Sequence, residues 1–401
     1  MKYNSIITQV ANSQTNLVGW LQEAGYTRLL TVADTNTAIF AKSENLLTLS
    51  PTPGNPDLVP DETALGRIFV AAADAQAIVA VGSGTICDLV RYVSFRLGLP
   101  YYVVATAASM DGYTSSVAPL TVDGFKQTFV TAAPVGVIVD PAIYTTAPAR
   151  LTAAGFSDMM GKFTSVVDWE MEGLLFPEND DFCLASANEM RKTAEDCYIS
   201  GDVMSALIIS GLIMQKVGNS KPASGSEHHL SHFWEMKALS EGKLPALHGA
   251  KVGVATLAVL QATEWLLDEE INWARADDFD VHEWKNEMQN SFGPTANDIL
   301  PLWADENPAT RGALLERIKN HWAELRKILS QNIGLRSKLE KSIASMDGPT
   351  TPAKIGVDRQ EFFTGILYAN RLRRRFTVWR LLDLLGLLPQ YAQKLTDQVN
   401  K

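Results

Sequence analysis

Four of the six histidines in this 401-residue chain fall within one short stretch: His228, His229 and His232 in SGSEHHLSHFW, and His248 in PALHGAKVG. Histidine is the commonest metal-binding side chain. His228 and His232 stand four apart, so on a helix they share one face with Cβ atoms about 5–6 Å apart. His248 comes from a second segment, after a Leu-Pro-Ala turn. Catalytic metal sites are commonly assembled this way, from three protein ligands and an open position. A histidine-rich helix end held by ordinary hydrogen bonds has the same spacing, and spacing alone leaves both readings open.

Two carboxylates join this set. In ATAASMDGYTSS (105–116), Asp111 precedes Gly112 and is surrounded by Ser109, Thr114, Ser115 and Ser116. The segment follows an expected strand, and open α/β sheets place ligands at strand C-terminal ends. Asp111 is therefore a candidate for facing a substrate hydroxyl; an Asx turn is the plainer alternative. AAGFSDMMGKF (153–163) is read as placing Asp158 at the start of the first helix of a second domain. Alone, Asp158 is an acid favoured by the helix dipole. With the histidines, it supplies the carboxylate of a His/His/Asp metal site at the domain junction.

VGSGTICD (81–88) follows an expected strand and opens an expected helix. Gly82 and Gly84 would let a pyrophosphate approach the backbone, and the helix N-terminus would supply N–H donors. The loop is neither a full GxGxxG nor a P-loop, and a tight strand–helix turn is the competing reading. Asp34 ends the strand 28–33, where an acid can bind the adenosine ribose. Here the acid precedes the glycines, so the domain is expected to be related to the Rossmann type but distinct from it.

The elements that must position these residues change character along the chain. Before residue 140, the runs RLLTVA (28–33), LLTLS (46–50), AIVAVG (77–82), YYVVAT (101–106) and VGVIVD (135–140) read as buried parallel strands. DETALGRIFVAAADAQ (61–76) reads as a helix, and the alternation implies a doubly wound sheet. From about 149 the patterns are helical, which predicts a boundary at 140–150: an α/β domain over 1–148 and an all-α domain over 149–401. ANRLRRRF (369–376) is basic and is expected to continue into an apolar helix. It reads as a solvated face or an interdomain pairing surface in preference to a phosphate site.

Bulk properties narrow the function. The net charge is −10 and charged residues make up 20% of the chain. That argues against nucleic acid or an anionic membrane as a partner. A phosphorylated substrate would have to be held by a few local donors. The three cysteines, Cys87, Cys183 and Cys197, lack CxxC spacing and fit a reducing cytoplasm. No apolar run approaches the roughly 20 residues of a membrane span, and the N-terminus lacks a basic-then-apolar signal pattern.

GSGT-x-x-D, TAASMDGYTS, AGFSD, SGSEHHLSH, PALHGAKVGV and RFTVWRLLDLLGLL occur together and in this order. Together they resemble the glycerol-1-phosphate dehydrogenase family, most closely its bacterial AraM type. That family sits beside glycerol dehydrogenases, iron-type alcohol dehydrogenases and dehydroquinate synthases. The resemblance implies a dehydroquinate synthase-like fold: an α/β dinucleotide-binding domain, an all-α C-terminal domain and an active site in the interdomain cleft. It implies NAD(H) or NADP(H), one divalent metal ion (nickel or zinc favoured) and a homodimer. The implied reaction is reversible reduction of dihydroxyacetone phosphate to sn-glycerol 1-phosphate.

By the same resemblance the metal ligands fall on Asp158, His228 and His248. His232 and Asp111 fall on catalytic or substrate positions. Gly82, Ser83, Gly84, Thr85 and Asp88 match the pyrophosphate loop, and Asp34 the ribose position. Thr106, Ser109 and Asp111 match the loop between nicotinamide and substrate, with Ser115 behind it on the cofactor side, and Lys126 matches a cation that could meet phosphate. Asp158 would also neighbour the substrate. Three positions depart from the family pattern: Cys87 where Asn is frequent, Arg91 where Lys is common, and His229 where apolar or amide residues are usual. The competing readings are a polyol or glycerol dehydrogenase, a dehydroquinate synthase-like lyase and a non-catalytic metal- or nucleotide-binding regulator. Lys126 argues against the first. The missing basic substrate loop argues against the second, and retention of all three ligands and the glycine loop against the third.

Overall fold

The computed structural model describes residues 6–9, 17–23, 25–51, 58–122, 125–273 and 279–399. It divides into two compact units. The first comprises Met1–Met159 and Ile199–Gly218, the second Met160–Tyr198 and Asn219–Lys401.

The first unit is built on a six-stranded parallel sheet, and all five expected strands are in it. Its strands are β1 (Ile6–Gln9), β2 (Leu29–Asp34), β3 (Leu46–Leu49), β4 (Ala77–Gly82), β5 (Tyr101–Ala105) and, after a hairpin, β8 (Gly136–Val139). The order is β1-β8-β5-β4-β2-β3. β4 and β5 are buried along their whole length, which is why they read as continuous apolar runs rather than alternating ones. Between the strands lie α1 (Leu17–Glu23), α2 (Glu62–Ala71) and α3 (Gly84–Leu97). Asp61 caps α2 by accepting from the Ala64 N–H at 2.9 Å. α3 ends at Gly98, whose φ of 68° is left-handed.

The strand patterns did not predict the antiparallel hairpin of β6 (Val117–Val122) and β7 (Phe125–Val130). It leaves the loop that follows β5 and returns the chain to β8. After the short α4 (Pro141–Tyr144), α5 (Ala149–Met160) also belongs largely to this unit, as does α8 (Val203–Val217). Both press on the loop after β5. A Cβ on Gly155 of α5 would lie 2.1 Å from the Ala108 carbonyl oxygen, and one on Gly211 of α8 would lie 2.0 Å from Thr114 Oγ1. Glycine is required at both places so that the helices can reach the loop.

The second unit is helical. It contains α6 (Lys162–Leu175), α7 (Leu184–Ser200), α9 (Ser226–Ser240), α10 (His248–Asp268) and further helices to Gln398. In α10, Ala250, Val254, Ala258 and Ala262 recur every fourth residue and share one buried core with Leu230, Phe233 and Trp234 of α9. That spacing gives a single apolar face of small residues, against which α9 packs. The core also takes in Ile366, Trp379 and Leu382 from the C-terminal segment.

The structure corrects one expectation. Asp158 lies in the last turn of α5, since the helix begins at Ala149. The apolar helix expected after ANRLRRRF is present as Val378–Leu384, and Ala369–Arg371 forms a short 3-10 turn before it.

Candidate metal and nucleotide site

Each of Asp158, His228 and His248 offers one ligand atom, and these atoms all lie within 4.8 Å of one another. Among the described residues they are the group so placed. His228 sits in the first turn of α9 and His248 is the first residue of α10. The rings of His228 and His248 are 5.1 Å apart at their centroids. His232 lies 6.1 Å from His228 and 5.6 Å from His248 by the same measure. It borders the cluster without belonging to it.

One carboxylate holds this arrangement in place. Nδ1 of His228 donates to Glu227 Oε1 at 2.7 Å, which puts the ring's lone pair on Nε2, the nitrogen that would face a metal. Glu227 is fully buried and also accepts from the Gly225 N–H at 2.7 Å and the Thr164 hydroxyl at 2.7 Å. Burial alone would raise its pKa; His228, Thr164 and Gly225 outweigh burial and hold it below the ordinary glutamate value. Glu227 is therefore a carboxylate facing an imidazole N–H. Two nitrogens and an oxygen, with one imidazole oriented by a buried acid, suit a divalent cation of borderline hardness. The other side of His232 is also built up. Its Nδ1 is 3.8 Å from Glu235, which pairs at 3.2 Å with the buried Lys251.

Asp111 is tied to the same carboxylate set. Its backbone N–H donates to Asp158 Oδ2 at 3.3 Å, and its own Oδ2 accepts from the Ser210 hydroxyl at 2.9 Å. Its loop is held by Arg91, which is completely buried. Arg91 donates to Asp88 at 2.5 Å, to the Tyr101 hydroxyl at 2.9 Å, to the Val117 carbonyl at 2.8 Å and to the Gly112 carbonyl. Asp88 thus engages Arg91. Ser115 closes a turn on Val117 N–H at 3.1 Å. Thr106 is buried just beyond β5, where its N–H donates to the Gly82 carbonyl at 3.2 Å. Ser109 follows within the same loop, where its N–H donates to the Ala107 carbonyl at 3.0 Å.

The glycine loop separates into two roles. A Cβ on Gly82 would lie 2.6 Å from Ile86 Cβ, so Gly82 is required by the packing of α3. A Cβ on Gly84 would meet only Met110, at 3.8 Å, which is ordinary contact. Internal packing therefore does not explain Gly84, whereas the close approach of a ligand to the backbone would. Ser83 precedes α3 and makes no side-chain cap. The first N–H groups of α3, at Gly84 and Thr85, thus receive no side-chain cap from Ser83. Asp34 Oδ1 accepts from the N–H groups of Asn36 at 2.8 Å and Thr37 at 2.9 Å. The Thr37 hydroxyl reaches the Val81 carbonyl at 2.8 Å, which brings the Asp34 turn beside the glycine loop. Cys87 is fully buried, and burial pushes its thiol up to about 12, so it is an inert packing residue. Lys126 pairs with Thr121 across the hairpin; its side chain lies outside the described residues.

The family model for iron-containing alcohol dehydrogenases matches residues 11–148. A glycerol-1-phosphate dehydrogenase, NAD(P)+, of Geobacillus stearothermophilus is 31% identical over 398 residues, covering 92% of this chain and 90% of the relative. Its counterpart from Geobacillus thermodenitrificans (strain NG80-2) is 30% identical over 411 residues, covering 95% and 93%. The chain belongs to the glycerol-1-phosphate dehydrogenase family. The fold of this family member extends to solved structures at much lower identity. A probable glycerol dehydrogenase from Sinorhizobium meliloti 1021 superposes with a TM-score of 0.57 at 16% identity, over 97% of this chain and 98% of that one.

Sequence reasoning passed over two residues that organise this family member's site. Glu227 stands next to His228, and neighbours on a helix do not normally face each other. It reaches Nδ1 because it lies at the helix start, where its carboxylate folds back over the Gly225 N–H. Arg91 was noted only as a departure, although a fully buried arginine beside an acid three residues away is a structural signal.

Proposed function

We propose that the chain is an NAD(P)-dependent, metal-dependent sn-glycerol-1-phosphate dehydrogenase that reversibly reduces dihydroxyacetone phosphate to sn-glycerol 1-phosphate. The observation that carries this reading is the 31% identity to a dehydrogenase of that name across 92% of the chain. The convergence of ligand atoms from Asp158, His228 and His248 within 4.8 Å supports it. Those three residues would hold one divalent ion; the imidazole and carboxylate donors suit zinc, nickel, iron or cobalt alike, and the family resemblance favours nickel or zinc. A bound metal of this kind supplies Lewis-acid polarisation of the ketone oxygen. The nicotinamide is the hydride partner that the reaction needs.

The remaining steps belong to the protein. Backbone N–H groups of Ser83, Gly84 and Thr85 bind the pyrophosphate. Asp34 accepts from the adenosine ribose. Asp88 acts by fixing Arg91, and Arg91 fixes the loop carrying Ser109, Asp111 and Ser115. Asp111 orients a substrate hydroxyl, and its link to Ser210 at 2.9 Å holds it in place. His232 moves the proton between substrate and solvent, with Glu235 and Lys251 setting its orientation. Lys126 is proposed as a cation near the phosphate. The three free cysteines support a cytoplasmic location, and the family resemblance supports a homodimer.

The test is steady-state oxidation of NADH by metal-loaded enzyme with dihydroxyacetone phosphate, with dihydroxyacetone and without substrate. A strong preference for the phosphorylated ketone is expected. Equal rates on both ketones would point to a polyol dehydrogenase instead, and no turnover on either would overturn the reading.

A further inference from the structure

The reaction steps above leave RFTVWRLLDLLGLL (375–388) without a role. Its first residues nevertheless close on the segment that opens α9. Arg375 donates to the Ser224 carbonyl and, at 2.8 Å, to Ser220 Oγ. The Val378 N–H donates to Ser226 Oγ at 3.0 Å, and the Trp379 indole N–H to the Ser226 carbonyl at 3.2 Å. Trp379 is completely buried. The basic run before it is not a solvated face, since Arg371 is buried against Glu306 and Asp383.

The same segment is held from a second side by α6. Four polar side chains in the first two turns of α6 are buried: Lys162, Thr164, Ser165 and Asp168. Lys162 Nζ donates to the Ala223 carbonyl at 3.1 Å and the Ser165 hydroxyl to the Pro222 carbonyl at 2.9 Å. The Thr164 hydroxyl donates at 2.7 Å to Glu227, the acid behind His228. Burying polar groups is costly unless they are bonded, and these three bonds all go to residues 222–227.

Asp168 joins the two grips. Its Oδ2 accepts from the Ser226 N–H at 2.6 Å and its Oδ1 from the Val378 N–H at 2.8 Å. One buried side chain therefore satisfies the opening N–H groups of two helices, α9 and Val378–Leu384. The approach is close. A Cβ on Gly225 would lie 2.4 Å from Asp168 Oδ2 and 2.8 Å from Ser165 Cα, so glycine is required there. The N–H, hydroxyl and carbonyl of Ser226 are all engaged by these contacts, two residues before His228. Satisfied buried networks rigidify what they hold.

We propose that Asp168 is a positioning residue for the metal site: by tying Ser226 to Val378 it locks the first turn of α9, and through that turn the Glu227–His228 pair. The C-terminal segment thereby becomes part of the apparatus that sets where His228 points. The proposal rests on the ligand set proposed above.

The experiment uses the full-length protein with cobalt(II) as the probe. Affinity is read by competition with a chromophoric chelator, and ligand geometry by the visible d–d absorption of the bound ion. An amide has one acceptor oxygen where a carboxylate has two, so Asp168→Asn leaves the Ser226 or Val378 N–H facing a donor. Cobalt affinity should fall about ten-fold or more, and the d–d bands should shift. Ser226→Ala is the gentler variant and decides the matter if Asp168→Asn does not fold. It removes one hydrogen bond and should weaken cobalt binding about two- to ten-fold. Leu325→Ala opens a cavity in the core of the same unit; it should lower the urea midpoint and leave affinity and bands unchanged. Because Asp168 acts through the Glu227–His228 pair, Asp168→Asn combined with Glu227→Gln should lose less than the product of the two single losses. Wild-type affinity and bands in Asp168→Asn and Ser226→Ala would overturn the positioning role, while cobalt binding that His248→Ala abolishes would leave the ligand set standing. A loss in Leu325→Ala as large as in Asp168→Asn would also overturn it, since general instability would then be the cause. Wild type that binds no cobalt would sink the ligand set itself and the positioning role with it.

Discussion

Glu227 and His228 are neighbours in sequence and hydrogen-bond partners in space, with Oε1 of the acid 2.7 Å from Nδ1 of the imidazole. The bond fixes the tautomer, so the lone pair of His228 lies on Nε2. A carboxylate behind a ligating histidine also makes the ring a better donor. Glu227→Gln can keep the hydrogen-bond geometry but loses the charge. It should weaken metal binding by about 10- to 100-fold while leaving the protein folded. Competition with a chromophoric chelator measures this directly; an unchanged metal affinity would mean that the pair is only structural.

His248→Ala removes one of the three proposed ligands, which come from separate helices. The two remaining groups cannot hold the ion in a defined geometry. Metal content by elemental analysis should fall to a small fraction of one equivalent, and turnover should fall with it. Circular dichroism should be unchanged, because His248 is the first residue of α10 and lies outside the buried run that begins at Gly249. Full metal occupancy in this variant would remove His248 from the ligand set.

Much of this site is legible in the sequence because its residues sit at element ends that have strong local signals. β4 and β5 are continuous apolar runs, so the loops after them, with Gly82 to Thr85 and Thr106 to Asp111, are easily found. The clustered histidines are found by their density. The failures have local causes. The sequence pattern puts Asp158 at a helix start, whereas α5 begins at Ala149 and runs through Gly155. That glycine is required by the Ala108 carbonyl, which no sequence window contains. The hairpin of β6 and β7 was overlooked although Asp123-Gly124, which separates its strands in the sequence, is a strong hairpin signal. Pro119 within β6 masks it, since proline argues against a strand. The arginines of 371–375 look alike in sequence. Their roles diverge only through residues tens to more than a hundred positions away, such as Glu306 and Ser224.

Asp34 should set the choice between NADH and NADPH. Its Oδ1 is committed to the turn through Asn36 and Thr37. A carboxylate at the ribose would repel a 2′-phosphate. Asp34→Asn can keep the acceptor that organises the turn while removing the charge. The ratio of kcat/KM for NADPH to that for NADH should rise about ten-fold, corresponding to roughly 1.4 kcal/mol. Asp34→Gly should show the same change in preference with added loss from the turn. A ratio unmoved in both variants would place Asp34 away from the ribose.

The last prediction concerns stability and its pH dependence. Asp383 and Glu306 are surrounded by Arg311, Arg371 and Arg380, with contacts of 2.7–2.9 Å from Arg380 and Arg311 to both acids. Trp303 stacks over Arg371 and Arg380, each 5.1 Å from its ring centre. Burial would raise both acids, but the arginines outweigh it and hold both below their ordinary values. Groups depressed in the folded state contribute stability above their unfolded pKa, which is about 4 for these acids. They lose it as pH falls below that value toward the folded one. Asp383→Asn leaves three guanidinium groups with one acid, and breaking such a buried set costs roughly 3–5 kcal/mol. Urea unfolding at pH 7 should therefore show a large drop in midpoint for the variant. The gap to wild type should persist down to about pH 5 and narrow steadily below about pH 4. A gap that is the same at pH 3 and pH 7 would mean that Asp383 contributes by packing and not by charge.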